Sequence, residues 1–283
     1  RLHPSLPEDA MASGADAAVQ STHKTLGAFT QAAMLHVQGN RLDRERLRFF
    51  LGMLQTSSPS YLLMASLEVA LSQALQQGRQ QMTALLAGME TLRRQLADAT
   101  PLPFSGEPGK ETTQPMDLTR LWLAVHQTRR SGYEWNKALR KRWHLQLEYA
   151  DLQGILALAS LGNTPGDLRR LAAALTILAR EIPPEKPQGQ DPFPAAAVQL
   201  PRTALSLQSA AMADWQWCPL AEAAGRISLD SLVPYPPGIP LVVPGEVLET
   251  HHLETLQQLT AAGARVLGLQ SRQTPQIRVV VTP

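Results

Sequence analysis

The chain contains a single cysteine, Cys218. No disulfide can form within it, and a lone thiol suits a reducing cytoplasm. It has no uninterrupted apolar run of spanning length, and Arg1-Leu2-His3-Pro4 has no signal-peptide layout. Net charge is scarce: +2 over 283 residues, too small a surplus to imply a nucleic-acid partner. The seven histidines fall into no metal-ligand spacing. His251 and His252 are adjacent, so their rings are expected to diverge on a helix, and no Cys or carboxylate set accompanies them. A Ser/His/Asp triad has no signature either. The stretch Gly106-Glu107-Pro108-Gly109-Lys110-Glu111 lacks the spacing and the hydroxyl after Lys that a phosphate-binding loop needs.

What remains is the composition of a soluble globular chain, 44% apolar and 18% charged. Its length accommodates one large or two ordinary domains. The pattern predicts a short helix from Pro7 to Ser13 closing at Gly14, then a buried strand from Ala15 to Gln20. A second apolar stretch, Ala28 to Val37, stops at the turn signal Gly39-Asn40. Helical periodicity over Leu42 to Leu54 places Leu47, Phe50, Leu51 and Leu54 on one face, expected to be buried. Leu62 to Leu96 reads as one long helix, with bends expected at Gly78 and Gly88 and its methionines as core filling.

Pro101 to Pro115 reads as a domain-boundary loop. Beyond it, Leu121, Leu123 and Val125 suggest a strand, Gly132 to Tyr149 a helix, and Ile155 to Leu161 another strand. Thr164 and Pro165 open a last amphipathic helix. This order predicts an α/β layer. Pro183 to Pro201 reads as a linker or surface excursion. The expected domains are therefore residues 1–115 and 116–283. The basic cluster Arg129, Arg130, Lys137, Arg140, Lys141 and Arg142 reads as a solvated helix face in preference to a nucleic-acid surface, because the whole chain is close to neutral.

The richest chemistry lies in Val19-Gln20-Ser21-Thr22-His23-Lys24-Thr25-Leu26-Gly27-Ala28-Phe29-Thr30-Gln31-Ala32-Ala33. A lysine packed where its charge is disfavoured becomes nucleophilic near neutral pH and forms Schiff bases. The hydroxyls and imidazole beside it suit a phosphate. A lysine, phosphate ligands and a sheltered strand end together describe a pyridoxal phosphate (PLP) site. On residue types alone a solvated turn lysine is the commoner arrangement; the whole string decides. Val19, Ser21, His23, Lys24, Gly27, Ala28, Thr30, Gln31, Ala32 and Ala33 fit the PLP-attachment motif of the Orn/Lys/Arg decarboxylases, and the chain resembles that bacterial family of fold-type-I enzymes.

Further phrases extend the resemblance. Gly225-Arg226-Ile227-Ser228, Tyr235-Pro236-Pro237-Gly238-Ile239-Pro240 and Pro244-Gly245-Glu246 are similar to the family's C-terminal signature. Leu200-Pro201-Arg202-Thr203-Ala204 resembles a worn Ser-Pro-Arg-Glu-Ala phrase, with Thr203 replacing the acidic residue. The resemblance implies the C-terminal part of a PLP-binding large domain, residues 1–115, followed by a smaller α/β C-terminal domain. It implies PLP-dependent decarboxylation of lysine, arginine or ornithine to its amine, in a cytoplasmic enzyme of polyamine-type metabolism that binds neither nucleic acid nor membrane. Lys24 would attach PLP; Ser21 and His23 would contact the cofactor or its phosphate, His23 with a possible second role in protonation.

Thr56 and Ser57 resemble the segment that reaches the phosphate of a neighbouring subunit, which implies a homodimer; an ordinary helix-entry turn explains the same residues. Glu246 either receives a cationic substrate tail or serves its loop alone. Because the family's Asp-Glu-Ala-His-Gly stretch, whose Asp pairs with the pyridine nitrogen, would fall just ahead of His3-Pro4, this chain alone is expected to be inactive. Another fold-type-I reaction such as transamination shares the cofactor and lysine, and a non-catalytic dimerisation remnant is the other alternative.

Overall fold

The computed structural model describes residues 2–110, 115–128, 130–182, 200–235, 238–270 and 274–281. The chain divides into two compact units, one of Arg1–Thr100, Ser105–Leu121 and Leu158–Thr176, the other of Pro101–Phe104, Trp122–Ala157 and Ile177–Pro283. Helices and short sheets mix throughout, as an α/β chain requires. Residues 111–114 of the expected boundary loop, Arg129, residues 183–199 of the expected linker, and Pro236-Pro237 lie outside the described residues.

In the first unit, strands β1 (Ala17–Gln20) and β2 (Met34–Val37) pair antiparallel around the single-turn helix α1 (Thr22–Thr25). The helix expected over Pro7 to Ser13 is instead one turn. Asp9 Oδ1 accepts the backbone N–H groups of Met11 and Ala12, and Ser13 N donates to Asp9 O at 2.9 Å. Asp9 thus caps the turn as an N-cap residue would, and Gly14 closes it before a second turn forms. β1 is shorter than expected and is not buried: Val19 is 76% exposed. The β1–β2 pair has no third strand among the described residues.

Helix α2 (Arg44–Leu54) starts where Asp43 accepts from Glu45 N and Arg46 N. Its expected buried face is open: it has no buried residue, Phe50 is 40% exposed and Leu54 79%. Helix α3 (Tyr61–Ala99) is capped by Ser60, which accepts from Leu63 N. Met82, Leu85, Met89, Leu92 and Leu96 recur three and four apart and are all buried, the stripe that packing selects. The helix is continuous through Gly78 and Gly88, as the single long helix read from the pattern requires. Gly88 answers to close approach: a Cβ there would lie 2.6 Å from Leu168 Cδ1.

One side chain ties α3 to the segment that follows it. Arg93 is buried, and its guanidinium donates to three carbonyls: Ser105 O at 2.9 Å, Leu118 O at 3.0 Å and Arg120 O at 2.8 Å. Burial pulls its pKa down, and Asp117 opposes the shift.

Strands β3 (Arg120–Ala124), β4 (Tyr149–Ala150) and β5 (Gly154–Leu158) form a sheet in the order β3-β5-β4. Helix α4 (Gly132–Trp143) opens on a reciprocal cap, Ser131 N to Glu134 Oε2 and Glu134 N to Ser131 Oγ. It ends well before Tyr149, contrary to the sequence pattern. His144 adopts the left-handed conformation and donates its N–H to Leu139 O, and the chain turns back into β4. Trp135 and Leu139 are fully buried. Helix α5 (Pro165–Glu181) begins as expected, Thr164 and Asp167 exchanging side-chain and backbone hydrogen bonds.

In the second unit, helix α6 (Leu207–Ala211) precedes strand β6 (Trp215–Pro219). Strand β7 (Val233–Tyr235), helix α7 (Thr250–Ala261) and strand β8 (Arg265–Leu267) follow, and β9 (Gln276–Val280) completes the order. β6 pairs with β9 and β7 with β8, both antiparallel. Leu220, Leu232, Val242, Leu248, Leu256, Ile277 and Val279 build the core there.

The C-terminal phrases converge: Ala204 N and Leu205 N donate to Gly245 O, Gly245 N to Ser228 O, and Leu248 N to Arg226 O. Gly245 has φ +90, and a Cβ would fall 2.3 Å from Leu205 O, so only glycine fits.

Arg93→Leu is expected to destabilise the protein by roughly 1–3 kcal/mol for each buried carbonyl left without its donor. Arg93→Lys should recover only part of this, since one ammonium cannot span three carbonyls as a planar fork does. Chemical denaturation of the two variants measures both; equal stability of Arg93→Leu and the wild type would contradict the assignment.

Candidate active site

In the β1–β2 pair, Ala17 faces Val37 and Gln20 faces Met34. Residues 21–33 therefore leave and re-enter the sheet at one end, and that excursion carries the lysine motif. Lys24 N donates to Ser21 O at 3.0 Å and Leu26 N to Thr22 O at 2.9 Å, forming the single turn of α1. Ser21 takes the N-cap position, but its side chain makes no capping bond. Thr22 is buried, with its hydroxyl 3.5 Å from Gln20 O.

His23 is half-buried, and its Nδ1 lies 2.9 Å from Ala32 O. A carbonyl only accepts, so Nδ1 carries a proton in this arrangement. This bond closes the loop on itself. It explains the small residues that end the motif: Ala32 is 2% exposed, and Gln31 before it turns through φ 80.

A cleft of about 780 Å³ opens beside this turn. Gln20, Ser21, Thr22 and Lys24 line one side, and Met34 and His36 of β2 join them. Glu8, Asp9, Asp117 and Arg120 add charge. Lys24 is exposed, not packed among apolar neighbours as its sequence setting suggested; a one-turn helix at the end of a two-stranded sheet has little around it to shelter an amine. His36 Nε2 is buried and has no hydrogen-bond partner.

Asp9 is an anion throughout the working range, since the Ala12 amide foremost holds its carboxyl at about 2. Asp117 is engaged locally, accepting from Thr119 N, Thr119 Oγ1 and Arg120 Nε. An exposed amine beside uncapped hydroxyl and guanidinium groups suits a ligand that carries both a carbonyl and an anionic group.

The other anticipated residues stand elsewhere. His23 is not among the residues lining the cleft, nor are Thr56 and Ser57. Both of the latter are exposed, and Thr56 Oγ1 accepts from Ser58 N at 3.1 Å in the turn before Ser60 caps α3. Glu246 belongs to the second unit, where its Oε2 accepts from Val243 N at 2.8 Å and braces the Pro244-Gly245 turn.

Sequence reasoning missed Thr22, His36, Asp117 and Arg120. His36 had left a signal, an imidazole at an alternate position of an apolar strand. Asp117 and Arg120 had left none, because the cleft gathers them from a distant segment.

Two charged features complete the survey. Contrary to expectation, the rings of His251 and His252 do not diverge: their centroids are 3.9 Å apart, and Glu249 joins them within 4.8 Å. The N-terminus of α7 causes this. Glu249 N donates to His252 Nδ1, folding that ring back over the first turn. Burial and the neighbouring His251 hold His252 below the ordinary histidine pKa, as an accepting ring nitrogen requires. These groups serve the helix end. Lys137, Arg140 and Lys141 are exposed along a cleft of about 840 Å³ in the second unit, while Arg142 pairs with Glu181 and lies 4.2 Å from the Trp143 ring centroid.

Comparison with known proteins agrees along both units. The model of the Orn/Lys/Arg decarboxylase major domain matches residues 1–156, and that of the Orn/Lys/Arg decarboxylase C-terminal domain matches residues 192–271. The arginine decarboxylase of Bacillus subtilis (strain 168) is 31% identical over 281 residues, 99% of this chain and 57% of that protein. The inducible lysine decarboxylase of Escherichia coli (strain K12) is 44% identical over 55 residues, 18% of this chain and 8% of that protein. Among solved structures, lysine decarboxylase A from Pseudomonas aeruginosa superposes with a TM-score of 0.73 at 23% identity, covering 94% of this chain and 49% of that one. The chain spans about half the length of these full-length relatives.

Proposed function

The chain belongs to the Orn/Lys/Arg decarboxylase family, and from that premise we propose that it serves PLP-dependent decarboxylation of lysine, arginine or ornithine. The observation that carries the reading is Lys24 on a cleft of about 780 Å³ beside Ser21, Thr22 and Arg120. These residues fit the cofactor's chemistry: an amine for its aldehyde, and hydroxyl and guanidinium groups for its phosphate.

When bound, PLP supplies the sink for the electron pair left by the departing carboxylate. Lys24 would hold the cofactor through its amine. His23 does not line the cleft, and its Nδ1 bond to Ala32 O gives it the role of closing the loop that carries Lys24. Glu246 has one carboxylate oxygen on Val243 N, and the other is the proposed partner of a cationic side chain. The enzyme's product would be the amine, in polyamine-type metabolism.

A homodimer completes the reading. Phe49, Met53, Leu54, Tyr61 and Leu62 flank Thr56 and Ser57, and each is more than half exposed. Apolar side chains grouped around one turn suit a protein partner more than water. A second copy docked there would bring its cofactor to Thr56 and Ser57. A single free cysteine, Cys218, suits the proposed cytoplasmic setting. No helix among the described residues is long and apolar enough to cross a membrane.

The test is turnover of lysine, arginine and ornithine with CO2 release by the protein carrying this chain. Lys24→Ala is expected to remove the visible absorbance of bound cofactor and nearly all turnover; retained turnover would contradict the role of Lys24. Replacing Thr56 and Ser57 together by Ala should weaken PLP binding by roughly 1–3 kcal/mol for each buried hydrogen bond left unmade. A turn with no cofactor role would instead lose the same thermal stability with and without PLP, and titration of both apo forms distinguishes the two.

A further inference from the structure

The basic residues of α4 find no use in the decarboxylase reading. Lys137, Arg140 and Lys141 line the cleft of about 840 Å³ in the second unit, and Arg265 of β8 lines it from another element. All four residues are exposed, and none forms an ion pair with another described residue. Arg142, the next cation along the helix, shows the ordinary alternative, since it pairs with Glu181. The attraction of a helix C-terminus for cations accounts for Arg140 and Lys141 in the last turn, but Lys137 lies a turn earlier and Arg265 on a strand. Like charges three and four residues apart repel, so the arrangement costs helix stability until an anion joins it.

The walls of the cleft are fixed before anything binds. Ser131 Oγ donates to Ala262 O at 2.8 Å, which joins the start of α4 to the turn between α7 and β8. Tyr235 and Arg265 are direct partners in the β7–β8 pair, so their side chains stand side by side on one face. Tyr235 is exposed and lines the same cleft. Glu134 and Glu148 share the lining, and Glu134 is taken up by the cap of α4. Four cations against two acids leave the cleft positive.

The geometry also selects the kind of anion. A phosphate is held tightly where the backbone N–H groups of a helix N-terminus point at it, and α4 presents its carboxyl-terminal half here. Cations spread over two elements and left in water suit separate carboxylates, each meeting its own partner, better than one dense charge. Glu134 and Glu148 oppose a continuous phosphate backbone, and Tyr235 offers an aromatic contact that carboxylates alone leave unused. We propose that this cleft docks an acidic segment of another protein, with its carboxylates on Lys137, Arg140, Lys141 and Arg265 and an apolar or aromatic side chain against Tyr235. Complementary charge of this kind governs the rate and salt dependence of docking more than its raw affinity.

The test is fluorescence anisotropy of a labelled random copolymer of glutamate and tyrosine with the full chain, using polyglutamate, tripolyphosphate and oligothymidylate as competitors. The wild type is expected to bind the copolymer and to lose at least about tenfold in affinity between ~50 and ~500 mM salt, as screening strengthens. Changing Lys137, Arg140 and Lys141 together to Gln should weaken binding at low salt by at least about tenfold. A control in which the exposed Arg79, Arg169 and Arg180 become Gln loses the same charge outside the cleft. It should stay within about twofold of the wild type. Should the cleft triple variant fail to fold, Arg265→Gln against Arg79→Gln carries the comparison.

Equal loss in the two triple variants overturns the proposal, because net charge then explains binding. Displacement of the copolymer by tripolyphosphate or oligothymidylate at lower charge concentration than by polyglutamate also overturns it, and assigns the cleft to a phosphate ligand or a nucleic acid. Polyglutamate that binds as tightly as the copolymer overturns the role of Tyr235. Absence of binding by the wild type defeats the proposal and leaves the decarboxylase reading untouched.

Discussion

One antiparallel pairing governs the candidate site. With Gln20 locked opposite Met34 and Ala17 opposite Val37, the thirteen residues between the strands have no choice but to fold back, and α1 with Lys24 is that fold. The His23–Ala32 hydrogen bond then fixes how tightly the excursion closes. A slip of one residue in this register would turn His36 to the opposite face and separate it from the lysine's cleft. Small residues follow from the same constraint, since the carbonyl that receives His23 belongs to a buried alanine.

The second constraint is electrostatic and lies far away in sequence. Arg93, on the buried stripe of α3, gathers the carbonyls of Ser105, Leu118 and Arg120. Those bonds hold the start of β3, where Asp117 and Arg120 contribute to the cleft. An arginine suits this role because its planar fork carries several donors at fixed angles and stays charged even when burial opposes it. Motif and frame thus come from different parts of the chain, one local and the other set by packing.

This division explains how much was legible in the sequence. The lysine motif was readable because its requirements are contiguous: a hydroxyl, an imidazole, a lysine and small residues at fixed spacing. Capped helices such as α5 were readable from Thr164 and Pro165, because a cap is a local hydrogen-bonding event. Burial was less legible. Periodicity marked Leu47, Phe50 and Leu51 as one face without saying what covers it, and β1 proved exposed for the same reason. The end of α4 depended on His144 entering a left-handed conformation, which no side-chain pattern announced. The convergence of His251 and His252 came from a backbone N–H capturing one ring, and the cleft's Asp117 and Arg120 came from tertiary packing on Arg93.

The most direct measurement is borohydride reduction of the protein incubated with PLP, followed by mass-spectrometric peptide mapping. The account predicts that the stable phosphopyridoxyl mass appears on the peptide containing Lys24 and is lost in Lys24→Ala. Labelling of Lys110, Lys137 or Lys141 in its place, or no labelling of the native protein at all, would contradict it.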